Sequence, residues 1–261
     1  MSDSINRRMF IKQGTVLGAS VFLATDPLSF VEGFAYGSES GGMSVVTGSN
    51  YYKSTVKAVA LLGGIEKFVP PRATVGLLVN SPFRHPGSYV RPDVTLAVIH
   101  LCLEAGAKEI GVFKPLRPSY WRRGTVADKI GREVEELMDF GGNFRQVAIT
   151  KGKSLKKAEV AAPLLDCDVF IDIAVAKDHT GTRFSGTMKN MMGALSRSTN
   201  DFFHTGSGKS IGYYDDIEFL SQCIADVNLV RQPDLCLLDG TEILSTNGPH
   251  GPGKLLKPQT V

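Results

Sequence analysis

Four apolar runs, each stopping abruptly at a polar residue, constrain this chain most. Thr74-Val75-Gly76-Leu77-Leu78-Val79 stops at Asn80, and Ile110-Gly111-Val112-Phe113 stops at Lys114. Val169-Phe170-Ile171-Asp172-Ile173-Ala174-Val175 runs into Lys177-Asp178-His179-Thr180, and Leu235-Cys236-Leu237-Leu238 ends at Asp239-Gly240. Such runs read as buried strands. Between the first two, Val94, Ala97, Val98, Leu101, Cys102 and Ala105 recur with a helical period, opened by Pro92-Asp93 and closed by Gly106. A strand–helix–strand unit with short turns favours a parallel pair. The alternation predicts a single α/β domain, a doubly wound and mostly parallel sheet flanked by helices. Parallel strands would bring Asn80, Lys114, Lys177 to His179, and Asp239 to the carboxyl edge, where open α/β sheets bind ligands.

The remaining elements are read from periodicity. Helices are expected over 125–138, 155–165 and 182–196, with a strand over 146–150. Met188, Met191, Met192 and Leu195 would form the core face of the third helix. Asp215 or Asp216 would cap another helix, whose apolar face is Ile217, Leu220, Cys223, Ile224 and Val227.

The formal charge of +3 over 261 residues is too mild for a nucleic-acid partner, which none is expected to be. Lys151, Lys153, Lys156 and Lys157 lack interleaved aromatics and read as a solvated stretch. The four cysteines, Cys102, Cys167, Cys223 and Cys236, form no C-x-x-C pair. They read as buried thiols, so no intrinsic iron–sulfur cluster is expected.

Asn6-Arg7-Arg8-Met9-Phe10-Ile11-Lys12, followed by an apolar run, reads as a twin-arginine export signal. The run is about a dozen residues, short of the roughly 20 that span a bilayer. Gly33-Phe34-Ala35 is a weak cleavage site. Residues 1–42 are therefore read as signal and linker, and 43–261 as the α/β domain. The expected location is periplasmic, with the twin-arginine translocase as a transient partner.

Lys177 and His179 stand at a strand end, with Lys189-Asn190 following, Gly193 about one helical turn on and Arg197 one further turn along. Lys189 and Arg197 are either ligand-holding or solvated cations. His179 and His204 are the histidines best placed to move a proton, while His85, His100 and His250 have weaker cases. Asp178, Asp239 and Glu242 could add metal ligands, but no spacing identifies a metal. Thr205-Gly206-Ser207-Gly208-Lys209-Ser210 is not a phosphate loop, because Phe203 stands where its first glycine belongs. Asn247-Gly248-Pro249-His250-Gly251-Pro252-Gly253 is either a rigid turn or a backbone anion nest.

Ala176-Lys177-Asp178-His179-Thr180, Thr187-Met188-Lys189-Asn190-Met191-Met192-Gly193, Phe202-Phe203-His204, Asp239-Gly240 and Asn247-Gly248-Pro249 together resemble the domain of unknown function 362 family. The resemblance implies a fold and a site, not a reaction. Some relatives carry a cysteine-rich ferredoxin-like segment, which this chain lacks. Relatives commonly have an acid shortly before Asn-Gly-Pro, near where Ser245 stands. They usually continue past the Gly-Pro loop into another α/β segment, so truncation at Val261 is an open reading. The expectation is an exported protein with an anion- or metal-binding site at the carboxyl edge of the sheet, acting as an enzyme on a small anionic substrate. Its catalytic residues would be His179, His204 and Asp239. Ligand would be held by Lys177, Lys189, Asn190, Arg197, Asn80 and Asn247, and the cofactor is unassigned. The alternatives are a non-catalytic ligand- or cofactor-handling protein and an accessory subunit of a redox complex.

Overall fold

A computed structural model describes residues 32–38, 41–206 and 216–261. The twin-arginine segment and the stretch from Ser207 to Asp215 lie outside the described residues. The four expected strands share one sheet. Its order is Leu235–Asp239, Val169–Val175, Thr74–Val79, Glu109–Val112, Met138–Asp139, and every neighbouring pair is parallel. Val169–Val175 is buried at every position, as a central strand between two helical layers must be.

Alternate residues of each strand serve different faces. Val75, Leu77, Val79, Ile171, Ile173 and Val175 join the apolar cluster that includes Val94, Val98 and Leu101 of the Pro92–Glu104 helix. Leu78 and Phe170 face the other cluster, with Met191, Met192, Leu220 and Cys223. Asn50 caps the Tyr51–Leu61 helix by accepting from Lys53 N at 3.0 Å. Asp216, one of the two expected caps, accepts from Phe219 N at 3.0 Å to start Ile217–Val227.

From Thr74–Val79 the chain proceeds outward to the second and third strands, then crosses back to Val169–Val175 on the opposite side. The strand order therefore reverses between Thr74–Val79 and Val169–Val175. The crevice beyond their carboxyl ends is the topological switch point, the usual ligand site of such sheets.

Several expectations are corrected. No helix runs over 155–165; Lys157–Ala161 is a strand, antiparallel to Phe144–Ala148, and only Ala162–Asp166 is helical. Lys157-Ala158-Glu159-Val160 alternates polar and apolar, and Ala158 and Val160 are the buried pair, so a period of two prevails. The expected helix over 125–138 is two short turns, Ala127–Lys129 and Arg132–Glu135, leading into the sheet strand Met138–Asp139. The expected helix over 182–196 divides into a hairpin strand, Arg183–Ser185, one helical turn, Thr187–Asn190, and a 3₁₀ turn, Met191–Ala194. Met188 is accordingly exposed, while Met191 and Met192 are core. Cys236 is also exposed, on Leu235–Asp239 at the edge of the sheet. Outside the main sheet, Glu32–Ser38 pairs antiparallel with Gly41–Thr47.

Candidate functional site

A cavity of about 260 Å³ opens at the switch point. Leu78, Val79 and Asn80 line it from the first strand's end, and Lys177 and His179 line it from the fourth's. The fourth strand continues past Val175 into Lys177–His179, which pairs with Arg183–Ser185 as a small antiparallel hairpin. The hairpin turns the chain back, so that Lys189 and Asn190 on the next helical turn face the same space. Lys177, His179, Lys189 and Asn190 are thus brought together as the sequence predicts, although the turn that carries the last two is only four residues long. The local field comes from side chains rather than from a helix macrodipole.

Lys177 is 2% exposed. Its Nζ donates to the Ser88 carbonyl at 2.6 Å and to Asn80 Oδ1 at 3.3 Å, and it stands 4.1 Å from the centre of the Phe83 ring. Burial, reinforced by the like charge of Lys189, lowers its pKa to about 7. Burial likewise brings Lys189 down to about 8. Lys189 Nζ has the Met192 thioether at 3.5 Å as its polar contact.

The two amides are oriented by this cation. Lys177 claims Asn80 Oδ1, so Asn80 Nδ2 donates to Asn190 Oδ1 at 3.3 Å. Asn190 Nδ2 then points down to Asp172 Oδ1 at 2.6 Å and to the Leu78 and Ile173 carbonyls at 3.0 and 3.3 Å. Asp172 is 1% exposed, and burial pushes its carboxyl up to about 7, against the pull of Asn190.

His179 Nδ1 accepts from the backbone N–H groups of Gly181 and Thr182 at 3.0 and 3.3 Å, which places the ring proton on Nε2. Burial first, then Lys189, Lys177, His204 and His250, bring its pKa down to about 3. Near neutral pH the ring is therefore a hydrogen-bond donor, and Lys177 is the group whose charge is poised to change. His204, also held down by burial, lies within 2.9 Å of the Asn200 carbonyl through Nδ1.

Three of the expected site residues lie elsewhere. Arg197 is absent from the cavity lining; its side chain is 95% exposed and faces Asp201 at 3.7 Å. Asp239 stands at the predicted edge but turns inward, with Oδ2 accepting from Arg91 N at 2.6 Å and Oδ1 from Thr241 N and Oγ1 at 2.8 and 2.6 Å. Those partners occupy it, and it orients no histidine. Asn247 shapes its own loop, with φ of 59° and Nδ2 donating to the Pro252 carbonyl at 2.7 Å.

That loop nonetheless supplies the wall. Gly248 N donates to Asp178 Oδ2 at 2.9 Å, and the Gly248 carbonyl accepts from Thr180 N and Oγ1 at 3.3 and 2.7 Å. Pinned this way, Pro249 and His250 close over the cavity. Lys114, expected at this edge, lines it too, and so do His250, Phe83 and Asn200, which were not assigned to the site from sequence. For His250 the one available signal was its place directly after Asn247-Gly248-Pro249.

Among the described residues the lining holds three lysines and three histidines, and neither an aspartate nor a glutamate. Among the described residues no three His, Cys, Asp or Glu side chains gather to hold a metal ion. A second hollow, of about 420 Å³, lies between the 144–161 hairpin and the Arg197–Thr205 helix. Its charged groups are engaged locally: Glu159 accepts from the Ser196 and Ser198 hydroxyls, and Lys156 donates to the Gly152 carbonyl.

No curated protein matches this chain in sequence. Among solved structures, a Thermotoga maritima protein is similar at 18% identity and a TM-score of 0.41, over 75% of this chain and 50% of its own. The lactate racemase apoprotein from Thermoanaerobacterium thermosaccharolyticum is similar at 12% identity and a TM-score of 0.48, over 80% of this chain and 51% of its own. The chain thus spans about half the length of each of these structures. The family model of the domain of unknown function DUF362 matches residues 75–261, which include every cavity residue named above, and the chain belongs to that family.

Proposed function

We propose that the switch-point cavity binds a small anion through a carboxylate or phosphate group, and that the protein is an exported enzyme transferring protons to or from that ligand. One observation carries the reading: six basic side chains share a cavity that no carboxylate lines among the described residues. Amines pressed together and desolvated are held off their ordinary pKa, and an entering anion relieves both costs. Lys177 and Lys189 supply charge, and His179 Nε2–H and Asn80 add polar contacts. Lys177, titrating near neutrality, is the proton carrier.

Calorimetric titration with inorganic phosphate and with oxalate at pH 7 tests the anion site. Binding to the unsubstituted protein is expected. Lys189→Ala should weaken it by one to two decades, the ~1.5–3 kcal/mol of one charged hydrogen bond, and leave the melting temperature nearly unchanged. Equal affinities in the two proteins would remove Lys189 from the site. A large loss of stability in the variant would assign Lys189 to the fold instead.

Export is proposed from Arg7-Arg8 and the apolar run after them. Substituting Arg7→Lys and Arg8→Lys together is expected to retain the protein in the cytoplasm on cell fractionation. An unchanged periplasmic yield would refute the assignment.

A further inference from the structure

Resting on the anion reading, we propose that Lys189 is a nucleophile that forms an imine with a small oxo-carboxylic acid held in this cavity. The two amines, Lys177 buried and Lys189 half-buried, are not equivalent. Lys177 donates to the Ser88 carbonyl and Asn80 Oδ1 and lies against the Phe83 ring, so the position of its nitrogen is fixed by the protein, suiting it to hold charge and pass a proton rather than to attack a carbon. Lys189 lines the same cavity with no carboxylate in ion-pair range among the described residues. Its polar contact is a thioether, a weak acceptor that anchors an ammonium poorly. An amine in apolar surroundings beside another cation is the arrangement that exposes a lysine lone pair.

The other lining groups fit the remainder of such a substrate. A carboxylate next to the carbonyl finds cationic partners in Lys114 and Lys177. The Nε2–H of His179 is a neutral donor suited to a carbonyl oxygen. Lys189 Nζ attacks the carbonyl carbon, and the oxygen takes a proton to give a carbinolamine. Nitrogen gives up a proton in turn, the C–O bond breaks, the oxygen leaves as water with a proton from the Lys177 ammonium, and the iminium nitrogen returns a proton to the Lys177 amine. The sum is amine plus ketone to imine plus water, with no change of oxidation state. With the Lys189 pKa at about 8, its neutral fraction at pH 7 exceeds that of an ordinary lysine by about two orders of magnitude.

Pyruvate with sodium cyanoborohydride, followed by intact mass and peptide mapping, tests the inference on the full chain. One reduced adduct per chain is expected, on Lys189, formed at pH 7 at least about tenfold faster than on exposed lysines such as Lys151. Oxalate should suppress it. Lys189→Arg and Lys189→Ala should each abolish it while melting as cooperatively as the unsubstituted protein. Labelling spread over surface lysines, or mapped to Lys177 or Lys114, overturns the inference. If oxalate binds calorimetrically and no adduct forms, the imine alone is refuted. If oxalate does not bind either, the anion reading fails with it.

Discussion

Asp172→Asn is expected to flatten the pH dependence of stability between pH 4 and 7, and Asn190→Leu to destabilise the protein by about 2–4 kcal/mol. Both follow from one buried pair. The Asp172 carboxyl rises from 3.8 to about 7 inside the fold, so between those values the folded state holds a proton that the unfolded state has lost. Stability therefore falls as pH rises through that window, by at most about 4 kcal/mol, and the deficit is complete above pH 7. An amide at position 172 carries no such titration. The difference between the two proteins in urea midpoint should thus grow with pH and level off near 7. Asn190→Leu removes the donor 2.6 Å from that carboxyl and the donor 3.0 Å from the Leu78 carbonyl, while the Ile173 carbonyl keeps the Asn80 N–H at 3.0 Å. A constant difference across pH would show that Asp172 ionises as an exposed carboxyl does.

Gly248→Ala should unseat the loop that closes the cavity. A Cβ there would lie 1.8 Å from the Asp178 carbonyl oxygen and 3.2 Å from His179 N, both backbone atoms that cannot turn aside. The loop must withdraw, losing the three hydrogen bonds that join Gly248 to Asp178 and Thr180. A loss of roughly 1–3 kcal/mol in stability follows from those bonds. Oxalate affinity should fall at least about tenfold as His250 and Pro249 leave the wall. Thermal melts and titrations on the variant check both, and unaltered affinity would mean that the loop does not contribute to the site.

The sheet was legible because its strands are unbroken apolar runs and the Pro92–Glu104 helix keeps strict period. Placing Asn80, Lys177, His179, Lys189 and Asn190 together needed only the carboxyl-edge rule and a short connection. The order of strands, and with it the switch point, depends on where Val169–Val175 inserts, which no local pattern encodes. Lys157–Ala161 was misread because window-wide helical spacing obscured a five-residue alternation. Asp172 was read only as one position within an apolar strand, and its importance comes from a side chain 18 residues away. His250 reaches the cavity through a bond spanning 70 residues, and Asp239 is turned inward by a partner 148 residues distant. Arg197 follows the expected residues in sequence, but the 3₁₀ turn at Met191–Ala194 separates its helix from the turn that carries Lys189, so helical spacing from Lys189 no longer predicts its face.

Oxalate titration at pH 8 in two buffers of different ionisation enthalpy addresses the anion site most directly. Lys177 and Lys189, with pKa values of about 7 and 8, are then substantially neutral, and a bound dianion should draw them back to ammonium. The account predicts net uptake of about one proton per oxalate bound, diminishing in Lys189→Ala. Binding with no proton uptake, or with release, would contradict it, because such an anion would be held by amines that were already charged and exposed.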